Sequence, residues 1–74
     1  MNNILNLTDR EYEVLILLMK GYTNPEIAEK LNITVHTVKA HISSMYEKTG
    51  LTSRVTLAVK ACQLGIDNEL IAKN

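Results

Sequence analysis

The tetrapeptides Thr8-Asp9-Arg10-Glu11 and Thr23-Asn24-Pro25-Glu26 repeat one device fifteen residues apart, and that device leaves the chain little choice of secondary structure. In each, the threonine hydroxyl can accept from the amide three residues on, while the glutamate reaches back to the threonine amide. Two of the donors that a helix start leaves open are thereby closed. Leu7 and Tyr12 bracket the first box as a hydrophobic staple, and Pro25 falls in the first turn of the second, where its missing N–H costs nothing. Stop signals follow at matching intervals: Gly21, then Asn32 in a left-handed conformation, Gly50 and Gly65. Thr34 caps a third helix and Ser53 or Thr52 a fourth. No β-branched alternating run competes. The chain is expected to be all-α, a compact four-helix domain with helices at about 9–20, 24–31, 35–49 and 54–64.

Apolar spacing says what each helix buries. Tyr12, Val14, Leu15, Leu18 and Met19 give the first an inner face, Ile27, Ala28 and Leu31 the second, and Val38, Ile42 and Met45 the third. The outer side of the third helix shows His36, Lys39, Ala40, Ser43, Ser44 and Glu47. A short helix, a tight joint at Asn32-Ile33 and a longer helix with a small, partly cationic outer face are the parts of a helix-turn-helix. The fourth helix is apolar on two sides. Leu57, Ala61 and Leu64 form one face and Val55, Val59 and Cys62 another, with only Thr56, Lys60 and Gln63 as a polar stripe. One face belongs to the domain core and the other is expected to meet a partner, most simply a second copy approaching over small Ala58 and Cys62 as a homodimer.

Seventy-four residues make one domain near the lower size limit for an unaided core, and 46% hydrophobic with 22% charged residues is the balance of a folded soluble protein. No run is long enough for a membrane span and the start lacks a signal peptide, so a cytoplasmic protein is expected, at the nucleoid when bound. Cys62, the single cysteine, excludes an internal disulfide and a cysteine-based zinc site; taken alone it reads as a small buried apolar residue. His36 and His41 are five apart and do not share a helical face as metal ligands would. Neither a phosphate-binding glycine loop nor a paired set of acids is present. Catalytic residues, metal, cofactor and small-molecule ligand are all expected to be absent.

The formal net charge is zero, but it is unevenly spread. Residues 1–29 carry Arg10 and Lys20 against Asp9, Glu11, Glu13, Glu26 and Glu29, a net −3; residues 30–60 carry Lys30, Lys39, Lys48, Arg54 and Lys60 against Glu47, a net +4. The positive stretch holds the third helix, which suits double-stranded DNA. Lysine can donate to guanine, serine can bond several bases, and alanine lets a helix sit deep in a major groove. Lys39, Ala40 and Ser43 are therefore the expected base readers. Thr23, Asn24, His36, Thr37, Ser44 and Lys48 surround them with donors suited to phosphate. A competing assignment is a protein-interaction module that pairs with a related regulator through the fourth helix, the Val55, Val59 and Cys62 face, without DNA. Another is a module like region four of a sigma factor, acting within RNA polymerase.

Leu7-Thr8-x-Arg10-Glu11-x-Glu13-Val14-Leu15, Gly21-x-Thr23-Asn24-x-Glu26-Ile27-Ala28, Leu31-x-Ile33-Thr34, Thr37-Val38-Lys39-x-His41, Lys48-x-Gly50 and Ser53-Arg54 resemble the LuxR-type, GerE-like helix-turn-helix domain of bacterial transcription regulators. The resemblance covers residues 7–66, with residues 1–6 and 67–74 as tails. It implies a third helix in the major groove and a dimer through the fourth, with Lys39, Ala40 and Ser43 at bases and Thr23, Asn24, Thr37 and Lys48 at phosphates. RNA polymerase is a further partner it leaves open. Pro25 stands where a polar or basic residue is usual. Thr49 stands for a usual leucine and Ala58 for a larger aliphatic, exchanges expected to loosen the core or leave room for repacking. Arg54, whose charge opposes the dipole of the helix it begins, is expected to pair with a carboxylate, Glu11 or Glu26. Two layouts fit the resemblance, a complete small regulator or the C-terminal domain of a longer one.

Overall fold

The computed structural model describes residues 5–66, and among them are four helices and no strand. They are α1 (Asp9–Met19), α2 (Asn24–Leu31), α3 (Val35–Thr49) and α4 (Arg54–Gln63). The tail expected at 67–74, and residues 1–4 of the N-terminal one, lie outside the described residues. Both capping boxes form. The Glu11 amide donates to Thr8 Oγ1 at 3.1 Å while the Thr8 amide donates to Glu11 Oε1 at 2.8 Å. The Thr23–Glu26 pair repeats this at 3.4 and 2.8 Å, and the Thr23 amide and hydroxyl hold the Glu26 carboxyl below its usual value.

Helix ends follow from backbone handedness. Asn32 is left-handed at φ 57°, and the Ile33 and Asn32 amides fold back onto the carbonyls of Ala28 and Glu29 at 2.9 and 3.3 Å. That paired closure ends α2 after two turns and points the chain directly into α3. Gly50, at φ 75°, closes α3 with one bond from its amide to the Tyr46 carbonyl at 2.9 Å. The first and fourth helices each stop one residue short of expectation, with Lys20 and Leu64 as their caps.

The core is one cluster to which every helix contributes. Val14, Leu15, Ile27, Val38, Met45 and Leu57 are fully buried, and Leu7, Tyr12, Leu18, Ala28, Ile42, Ala61 and Ile66 complete its walls. Deleting most of a buried leucine in such a core costs about 2–5 kcal/mol, so α1, which meets the other three helices, is the structural hub. Thr49 does not loosen this packing by way of its hydroxyl. The hydroxyl donates to the Met45 carbonyl at 2.8 Å and accepts from the Leu51 amide at 3.2 Å, stitching the end of α3 to the following turn. Among the described residues no helix is long and apolar enough to cross a membrane.

Candidate nucleic-acid interface

Because Val38, Ile42 and Met45 anchor one side of α3, its opposite side faces solvent by necessity of the helical period. His36, Lys39, Ala40, Ser43 and Glu47 are all exposed there. The three expected base readers therefore share one exposed side of α3, to which Ala40 adds little bulk. Thr37 is half-buried, and its hydroxyl is within 3.0 Å of that of Thr34, the cap of α3.

Beside this face lies an open cleft of about 470 Å³, lined by Lys39 and Val35 of α3, Thr23, Asn24 and Pro25 at the start of α2, and Arg54 at the start of α4. It joins one base-reading candidate to two phosphate candidates. Thr23 is exposed, but its hydroxyl is engaged by Glu26 Oε1 at 3.1 Å. Lys30 of α2 is placed over the Tyr22 ring, 4.6 Å from its centroid.

The other two phosphate candidates, Ser44 and Lys48, also serve the interior. Lys48 Nζ lies 2.7 Å from Glu11 Oε1, and Glu11 is the one buried charged residue among those described. Burial pushes the Glu11 carboxyl up, but hydrogen bonds from Lys48, Ser44 and the Thr8 amide, with the Lys48 charge, outweigh it and carry the group from 4.5 to about 2. Glu11 thus caps α1 and bolts α1 to α3. A cation neutralised in this way attracts phosphate less than a free one.

Arg54 does not find the carboxylate expected for it. Its Nη1 donates to Asn24 Oδ1 at 2.7 Å and its Nη2 to the Tyr22 carbonyl at 2.5 Å. Glu11 is held by Lys48 and Glu26 by its own capping box, while Arg54 takes neutral acceptors at the start of α2. The sequence signalled a partner through a cation at a helix start, but not which one, because the acceptors lie 30 and 32 residues away. On α4, Leu57 and Ala61 are buried while Val55 is 71% and Val59 49% exposed, and Cys62 is exposed rather than enclosed in its own core. The two apolar faces thus separate as expected. Among the described residues no group of three or more His, Cys, Asp and Glu could hold a metal ion.

Residues 5–61 match the family described as bacterial regulatory proteins, luxR family. The chain is 45% identical over 65 residues to the transcriptional regulatory protein LnrK of Bacillus subtilis, covering 88% of this chain and 30% of that protein. It is 44% identical over 57 residues to the response regulator protein VraR of Staphylococcus aureus and of Staphylococcus epidermidis, covering 77% of this chain and 27% of each. The chain spans under a third of the length of these curated relatives.

Proposed function

Because the chain belongs to the luxR family of bacterial regulatory proteins, DNA-binding transcription regulators rather than enzymes, we propose that it binds duplex DNA sequence-specifically with α3 in the major groove. The observation that carries this is the exposed Lys39-Ala40-Ser43 face on a helix whose other side is locked into the core. In that pose Lys39 and Ser43 donate to base edges and Ala40 allows close approach. Thr23, Asn24, His36 and Thr37 position the domain on phosphates, joined by whatever donors Ser44 and Lys48 have left after serving Glu11. Two copies pair through Val55, Val59 and Cys62 of α4, setting two half-sites about one helical turn apart. RNA polymerase, as the machinery such a regulator addresses, is a further partner, and the bound protein resides at the nucleoid in the cytoplasm.

Titration into labelled random-sequence duplex at several salt concentrations, followed by selection of a preferred site, tests the proposal. Binding is expected to weaken with salt. Lys39→Ala is expected to change base preference at one position, by roughly 1–3 kcal/mol. Absence of any binding at low salt and high protein concentration refutes the DNA reading and favours pairing through α4 with another regulator.

A further inference from the structure

The polar link from Arg54 to Asn24 joins the start of the helix bearing the exposed valines to the start of the helix lining the Lys39 cleft. A guanidinium carries donors only, so the Asn24 atom that faces it is the carboxamide oxygen. The amide nitrogen Nδ2 is left on the other branch, and among the described residues it has no acceptor. Neighbouring donors are spent. The Thr23 and Glu26 amides close the capping box, and the Ile27 amide donates to the Thr23 carbonyl at 2.9 Å. Pro25 has no amide hydrogen. Asn24 is therefore the residue of this edge with donors in hand, its main-chain N–H and its Nδ2, and it shares the cleft with Lys39.

We propose that Arg54 is a positioning residue for DNA binding: by occupying the Asn24 oxygen it fixes the carboxamide with its donor side outward, where a phosphate oxygen can take the place of water as its acceptor. The inference rests on the DNA reading above and assigns to Arg54 a role in it. Free asparagine amides rotate and present either end. Held by the Arg54 fork, which also ties down the Tyr22 carbonyl, this one presents a single chemistry. The start of α4 then sets the phosphate anchor of α2, so the helix that carries the proposed dimer face also braces the DNA contact.

Asn24→Asp separates positioning from folding. A carboxylate accepts from Arg54 at least as well as the amide does, so the melting temperature is expected to hold or rise. The side-chain donor is lost and a negative charge faces the phosphate. Affinity for duplex is expected to fall about tenfold or more, the worth of a hydrogen bond to a charged group. Arg54→Lys, which cannot serve both acceptors with a planar fork, is expected to weaken binding in the wild type. It should weaken binding little further in an Asn24→Ala background, because Arg54 acts through Asn24. Wild-type affinity in Asn24→Asp, or additive losses in the double variant, overturns the inference while leaving DNA binding intact. A wild-type protein that binds no duplex overturns the functional reading itself.

Discussion

Replacing Lys48 with alanine strands the Glu11 carboxylate inside the domain, and the size of the effect can be worked out. Glu11 has a side chain only 5% exposed, and its carboxyl is held at about 2 against 4.5. Since each tenfold change in proton affinity is about 1.4 kcal/mol, that difference represents about 3 kcal/mol of folded-state stabilisation at neutral pH. Lys48 supplies a hydrogen bond and a charge, while Ser44 and the Thr8 amide supply the remaining hydrogen bonds. The Lys48 side chain is 31% exposed, so solvent screens part of its share. A loss on the order of 2 kcal/mol is expected, or roughly 10 °C in melting temperature for a domain this small. Thermal unfolding followed by circular dichroism at pH 7 measures it.

The pH dependence has a definite sign. A carboxyl whose folded value is depressed stabilises above its unfolded value, here 4.5, and loses that contribution as pH falls toward about 2. At pH 3, between the two values, roughly half of that contribution is left. The difference between wild type and Lys48→Ala should therefore narrow between pH 4.5 and pH 2 and be nearly gone at the lower end. In a Glu11→Gln background Lys48→Ala should cost little. A melting temperature unchanged by Lys48→Ala at pH 7, or a difference that stays constant through this window, would refute the argument that Lys48 holds a buried carboxylate.

Two further substitutions probe other features. Gly50→Ala places a Cβ on a backbone at φ +75° with no atom within 4 Å of it, so the cost is backbone strain alone, about 1–2 kcal/mol by chemical denaturation; a neutral result refutes the left-handed stop of α3. Val55→Glu with Val59→Glu adds charge to exposed positions, so the isolated domain should unfold within about 0.5 kcal/mol of wild type. Sedimentation on DNA with two half-sites should show the paired complex weakened, and undiminished pairing would remove α4 as the dimer helix.

Local rules made the helices legible. Thr8, Thr23, Thr34 and Ser53 each accept from an amide three residues on, a pattern written in the sequence within one turn. Asn32 and Gly50 mark left-handed residues because few other side chains tolerate that backbone. The exposed Lys39 face and the split of α4 into Leu57 and Val55 sides follow from period alone. What remained hidden depends on competition between distant groups. Glu11 read as a cap, and nothing nearby announced that Lys48, 37 residues on, would share it. Arg54 likewise pairs with oxygens 30 and 32 residues away rather than with either glutamate.

That same competition bears on the zero net charge. Lys48 is largely neutralised by Glu11, Lys30 sits over the Tyr22 ring, and exposed Glu47 lies on the outer face of α3. Lys39 and Arg54 are the cations that line the cleft beside that face. If the positive charge of each displaces about one counterion from the DNA, the slope of log affinity against log salt is about −2 for one subunit and about −4 for a pair. A shallow slope means weak attachment to arbitrary DNA, so affinity at physiological salt must come from base contacts and from two half-sites bound together. A measured slope steeper than about −6 for the dimer would place additional cations on the phosphate backbone. Where Lys48 is one of them it leaves Glu11 on binding, and DNA then raises the Glu11 carboxyl toward its ordinary value.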